Sequence, residues 1–209
     1  MGKRERMSSV DTAWLRMDSP GNLMMIVGVY EYEGHLDYGR LRELVQQRLC
    51  VHRRFRSKVV QDATGYFWEE DDDFDLDLHV VRVALPGKGT TEDLKRFAGR
   101  LASTALDPSR ALWQFQLVDN YNGGQAMVVR MHHCIADGIA LIGVLLAMTS
   151  PDPTEDLAEA PAPTAPARGP TSDWEALLRP VTDATVKAIG TTGDVATRVL
   201  QASTAVLND

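Results

Sequence analysis

The chain has 209 residues, 22 Lys and Arg against 29 Asp and Glu, a formal net charge of −7 and 44% hydrophobic residues. That length carries one large domain or two small ones and can bury a core without staples. The acidic sum argues against nucleic acid, which needs a basic face to displace counterions, and against docking on anionic lipid by charge alone.

Two cysteines, Cys50 and Cys134, are too few for a disulfide framework and read as reduced thiols in apolar surroundings. The basic start Met1 to Arg6 is followed by no apolar run, so no signal peptide is visible. No stretch approaches the roughly 18 apolar residues that cross a bilayer. These features lead to the expectation of a soluble cytoplasmic protein.

In chain order, Leu23 to Tyr32 is rich in Val, Ile, Met and Tyr and predicts a buried strand, closed by a turn at Glu33-Gly34. Leu41, Leu44, Val45 and Leu49 stand three and four apart, which predicts an amphipathic helix over Leu36 to Leu49 with Asp37 as its cap. The basic cluster His52 to Lys58 follows. It could face phosphates, although a solvated helix end favoured by its dipole is the plainer reading. Gly65 to Trp68 and Leu76 to Leu85 predict strands. The carboxylate run Glu69 to Asp77 between them lacks the spaced ligands and central Gly of a calcium loop and reads as a solvated turn.

Thr90 and Asp93 fit a capping-box-like start, and Leu94, Phe97, Ala98, Leu101 and Ala105 form one helix face behind it. Gln114 to Val118 and Gln125 to Met131 predict a hairpin across the Asn120 to Gly124 turn. Gly138 to Met148 predicts a buried helix. Pro151 to Pro170 is too rich in Pro, Ala, Thr and acidic residues to offset chain entropy, and is expected to be a linker. A helical pattern returns from Ser172 to about Leu207. The order of elements is that of an α+β or α/β protein.

The segment with chemical potential is His132-His133-Cys134-Ile135-Ala136-Asp137-Gly138, between an apolar strand and an apolar helix. Adjacent strand residues point to opposite faces, so the two histidines do not easily share one metal ion. A nucleophile elbow is absent, and Cys134 beside His133 is poorly aimed for a Cys–His pair. Two readings stay open on the residues alone: a satisfied pair of core histidines, and a neutral imidazole acting as general base on a hydroxyl. Asp137 could fix the loop or a ring tautomer, and Gly138 removes a side chain where something must pass closely. Trp68 and Trp113 could line a channel, but core packing suits each better.

His132-His133-x-x-x-Asp137-Gly138 resembles the motif of the acyltransferases built on the chloramphenicol-acetyltransferase fold, which also include condensation domains. Ser8-Ser9-Val10-Asp11 with Trp14-Leu15 resembles the opening of bacterial wax ester synthase/diacylglycerol acyltransferases. Phe74 to Val80 ending in Ala84-Leu85-Pro86, and Ser109-Arg110-Ala111-Leu112-Trp113, resemble further segments of that family in the same order. Ser9 and Ala111 stand where the family usually has Pro, and neither change removes a catalytic group.

The resemblance implies the N-terminal domain of a two-domain, CoA-dependent acyltransferase, an α+β sandwich with a mixed sheet. On it, residues 1–150 are the domain with the histidine motif, 151–170 the linker, and 171–209 a helical crossover toward a C-terminal domain outside this chain. It implies transfer of a long-chain acyl group from acyl-CoA to a fatty alcohol or diacylglycerol. His133 would be the general base, with His132, Asp137 and Gly138 as support, and Leu112 and Trp113 as channel or structural residues. No cofactor and no metal are expected, acyl-CoA being a co-substrate. The expected partners are the lipid substrates, the C-terminal half and a membrane or lipid-droplet surface. The isolated chain is expected to be inactive. Two alternatives remain: a carrier-protein-dependent condensation enzyme, and a non-catalytic lipid-binding module.

Overall fold

The structure, a computed structural model, describes residues 4–135 and 148–149. The chain divides into two units at Thr164/Ala165, and all described residues belong to the first. Asp137, Gly138, most of the helix expected over Gly138 to Met148, the linker and the crossover lie outside the described residues.

A four-stranded sheet runs in the order β2 (Met25–Tyr32), β7 (Gly124–His132), β6 (Trp113–Tyr121), β5 (Val80–Val83). Three of these strands pair antiparallel, whereas β5 and β6 are parallel, so the sheet is mixed, as expected. A parallel pair needs a crossover between its strands. Helix α3 (Thr91–Ala102) supplies it, and its start is a true capping box: the Thr90 hydroxyl accepts from Asp93 N–H and the Asp93 carboxylate accepts from Thr90 N–H. Leu94, Phe97, Ala98 and Leu101 of α3 pack on Leu85, Val118, Tyr121, Ala126 and Val128. Burying a side chain the size of Leu94 stabilises by about 1.5–3 kcal/mol.

Every residue of β7 is buried. A strand flanked on both sides and covered on both faces must be apolar throughout, and Ala126 to Val129 and Met131 meet that demand. Of its polar residues, Gln125 accepts from Leu36 N–H and donates to Asp119, His132 belongs to the site below, and Arg130 is satisfied by Gln114 Oε1 and by the carbonyls of Leu101 and Thr104 at the end of α3. The β6–β7 hairpin turns at Asn122-Gly123, both with positive φ.

A second sheet, order β1-β4-β3, is wholly antiparallel: β1 (Arg4–Arg6), β4 (Gly65–Glu70) and β3 (Ser57–Asp62). Helix α2 (Tyr38–Arg48) starts at the expected cap, Asp37, whose side chain accepts from Arg40 N–H. Helix α1 (Ser9–Met17) is capped by Ser8, which accepts from Asp11 N–H.

Two expectations are corrected. The stretch expected as one strand over Leu76 to Leu85 is a 3₁₀ turn, Leu76–Leu78, followed by the short β5. The Asp75 carboxylate accepts from Asp77 N–H and winds the chain before the strand can begin. The basic cluster is not a solvated helix end. Arg53–Arg56 form a 3₁₀ turn leading into β3, and Arg53, Arg56 and Lys58 pair with Glu5 and Glu70, Glu70, and Asp71 respectively. The acidic run supplies all of those partners but Glu5, so its charges are largely structural.

Candidate active site

The histidine pair sits where the fully buried strand β7 ends. His132 is its last residue, paired with Met25 of β2, and His133 opens the turn that follows. The backbone fixes both residues tightly. His132 N–H donates to the Leu112 carbonyl at 2.9 Å, and His133 N–H donates to the Met24 carbonyl at 2.8 Å. A one-residue slip of β7 would exchange the faces of the two rings.

The His132 ring is buried, and its hydrogen bonds assign its tautomer. Nδ1 accepts from Cys134 N–H at 3.0 Å, so the ring hydrogen is on Nε2, which faces Asp18 Oδ1 at 3.6 Å. Burial pushes this imidazole below its ordinary value, and Asp18 opposes the shift. His132 is therefore a neutral side chain that shapes the turn by accepting from Cys134 N–H. His133 is half-buried, and its imidazole stacks on the Trp14 indole with ring centroids 4.5 Å apart and planes 20° from parallel.

Cys134 is fully buried, and that burial raises its thiol well above the ordinary range. A thiol so held is not the thiolate a nucleophile requires. The Cys50 thiol is likewise pushed up by burial, to about 12. Among the described residues no three His, Cys, Asp or Glu side chains gather as a metal-binding group.

Leu112 and Trp113 stand beside the pair and belong to the core. Trp113 is 1% exposed, and its indole N–H donates to the Phe55 carbonyl at 2.8 Å. It stacks on His79 at 4.6 Å and meets Phe55 and Phe115 edge-on. Leu112 is buried and acts through its carbonyl, which holds His132. Trp68 is also buried, beneath the Arg54 guanidinium. Asp137 and Gly138 lie outside the described residues.

Three residues that the sequence reading gave no role at this site meet the segment: Asp11 and Asp18, which flank Trp14, and Arg54. Arg54 pairs with Asp11 at 3.3 Å and donates to the Ile135 carbonyl at 3.1 Å. The available signal was the spacing of Asp11, Trp14 and Asp18, three and four apart on a helix whose cap, Ser8, is visible in the sequence.

Comparison with known proteins bears on what this arrangement does. The profile of the "Wax ester synthase/diacylglycerol acyltransferase catalytic domain" family matches residues 7–208. A Mycobacterium tuberculosis protein named as a probable diacylglycerol O-acyltransferase is 37% identical over 145 residues, covering 67% of this chain and 31% of the relative. A second protein of that organism with the same designation is 31% identical over 146 residues, covering 66% of this chain and 54% of the relative. Among solved structures, the wax ester synthase/diacylglycerol acyltransferase of Marinobacter aquaeolei VT8 aligns over 90% of this chain and 46% of its own, at 21% identity and a TM-score of 0.62. The first condensation domain of the calcium-dependent antibiotic synthetase aligns over 68% of this chain and 35% of its own, at 16% identity and a TM-score of 0.56. At such identities the structural likeness speaks for the fold alone. The chain spans about a third of the length of the first curated relatives it matches, 31%.

Proposed function

The chain belongs to the wax ester synthase/diacylglycerol acyltransferase family, and from that premise we propose that it carries the general base of an O-acyltransferase that moves a long-chain acyl group from acyl-CoA to a fatty alcohol or diacylglycerol. The observation that supports this reading is the division of labour between the two histidines. His132 is buried, neutral and turned into the fold, with Nδ1 accepting from Cys134 N–H. His133, one residue on, leaves the strand half-buried with its ring face against Trp14.

In the reaction, the His133 imidazole takes the proton of the substrate hydroxyl as its oxygen attacks the thioester carbonyl. The tetrahedral intermediate collapses with cleavage of the C–S bond. The imidazolium returns the proton to the departing thiolate, so coenzyme A leaves as a thiol and no acyl-enzyme forms. Neither a metal nor a redox group enters this sequence. The C-terminal part of a full-length relative would supply the opposite wall of the site. The lipid substrates place the working protein at a membrane or lipid-droplet surface on the cytoplasmic side. Among the described residues no helix is long and apolar enough to cross a membrane.

The test is a transfer assay with palmitoyl-CoA, with hexadecanol and a diacylglycerol in parallel and an acyl-carrier thioester as the competing donor. The protein is assayed as this chain and joined to the C-terminal portion of the Mycobacterium tuberculosis relative. Ester formation from palmitoyl-CoA, abolished in His133→Ala with binding of the CoA ester retained, is the expected result. Transfer in His133→Ala at the wild-type rate would sink the assignment of the base, and exclusive use of the carrier thioester would sink the choice of donor.

A further inference from the structure

Helix α1 looks unremarkable in burial, since none of its residues is fully buried. Its contacts with the histidine segment are ordered nonetheless. Asp11, Trp14 and the C-cap Asp18 form one stripe, three and four residues apart, and each addresses a different part of residues 132–135. Asp11 holds the Arg54 guanidinium, which caps the Ile135 carbonyl and lies over the Trp68 ring at 5.1 Å. Asp18 faces His132 Nε2 and also accepts from Met24 N–H at 2.7 Å, while the Met24 carbonyl receives His133 N–H. Between these two anchors the Trp14 indole lies flat on His133.

We propose that Trp14 is a positioning residue for His133, holding the plane of its imidazole so that the proton-accepting nitrogen keeps one direction. This rests on the reading of His133 as the base. The physical need is specific. Hydrogen bonds fix the backbone around His133, but the terminal torsion of a histidine is broad and roughly two-fold. A flat neighbour at 4.5 Å restricts that torsion, whereas an aliphatic one of similar bulk fills space without selecting a plane. Misdirection of a general base lowers the rate of the proton transfer and leaves ground-state binding of substrate alone, with losses that can reach about a hundredfold.

Two measurements decide it. The first needs no turnover and uses this chain: proton NMR of the histidine ring resonances, with those of His133 identified by their absence in His133→Gln. Ring current from the indole displaces them upfield in the wild type, Trp14→Phe keeps a displacement, and Trp14→Leu abolishes it. If Trp14→Leu fails to fold, the wild-type spectrum still decides, because His133 resonances at ordinary positions would overturn the stack. The second is transfer activity of the protein joined to the relative's C-terminal portion. Trp14→Leu is expected to lower kcat about ten- to a hundredfold with KM for the acyl-CoA within twofold, and Trp14→Phe to recover most of the loss. An unchanged kcat in Trp14→Leu, or equal losses in Leu and Phe, would overturn the positioning role. Absence of transfer by the wild type would overturn the acyltransferase reading instead, and the ring-current measurement would still decide whether Trp14 holds the ring.

Discussion

Two buried histidines make the stability of this domain depend on pH in a calculable window. His79 is 3% exposed, its Nδ1–H donates to the Trp113 carbonyl at 2.8 Å, and its ring is sandwiched between Phe74 and Trp113. Burial holds its imidazole below the ordinary range, with the Trp113 carbonyl opposing. His132 is held down by burial in the same way, with Asp18 opposing. In the unfolded chain both titrate near the ordinary value of about 6.5. Below that pH the unfolded state binds protons that the folded state does not, so stability falls as pH falls and is fully present above it. Between pH 6.5 and 5.5 an imidazole that stays wholly neutral in the fold contributes a loss of about 1 kcal/mol, so the pair contributes at most about 2 kcal/mol. Urea unfolding at these two pH values measures it. The variant His132→Asn keeps an acceptor for Cys134 N–H and removes one titrating group, so the pH-dependent loss should shrink, by at most about 1 kcal/mol relative to wild type. Taking that difference cancels whatever the other histidines contribute. A pH dependence unchanged in His132→Asn, or stability that rises on acidification, would refute the reasoning. Carboxylates held low do not intrude. Asp93, brought down to about 2 by its bonds from Thr90 and Arg96, gives up its stabilisation only below the ordinary carboxylate range near 4.

Three further outcomes follow from single contacts. Gly89 has φ +66°, and a Cβ there would lie 1.5 Å from the Asn120 carbonyl oxygen. Gly89→Ala should therefore cost about 3 kcal/mol, read as a lower urea midpoint, from the left-handed backbone and the forced shift together. Thr90→Ala removes one half of the α3 capping box and should cost about 1 kcal/mol, with the Asp93 resonance in a carboxylate NMR titration returning toward its ordinary range. Arg130→Met leaves the Leu101 and Thr104 carbonyls without their guanidinium donor. It should cost about 2–4 kcal/mol and speed amide exchange at the end of α3 before that of α2.

What the sequence made legible was local. The α3 capping box, the Asp37 cap and the turn that joins β6 to β7 each involve residues within a few positions, and side-chain chemistry or turn composition reveals them directly. Of the small sheet only β4 was visible, at Gly65 to Trp68. Strands β1 and β3 are charged because arginines and lysines along Arg4–Lys58 pair with the Glu69–Asp71 carboxylates of a strand and turn distant in sequence, and each charge run by itself looks like solvated surface. At Leu76 to Leu78 the apolar spacing suits a strand, but an aspartate two residues before Asp77 wound the backbone instead. Side-chain to backbone bonding at that range competes with the ladder and wins wherever no neighbouring strand is yet in place.

The candidate site divides along the same line, and the division explains why α1 matters more than its composition suggests. His132 and His133 are conspicuous because an apolar strand delivers them to a loop. Helix α1, by contrast, has no fully buried residue and an exposed Val10 and Met17, so a search for a buried face finds little. Its purpose becomes visible only in the stripe Asp11, Trp14, Asp18, whose partners lie more than 100 residues away or are bridged by Arg54. These contacts bury little surface, so they contribute modestly to stability. They hold the direction of one ring and set a carboxylate beside the other. A helix kept for that reason should tolerate changes on its outer side, at Val10 or Ala13, with little loss of stability or transfer, while changes on the stripe should reduce transfer more than they lower the unfolding midpoint. If substitutions at Ala13 and Trp14 affected rate and midpoint in the same proportion, α1 would be packing alone.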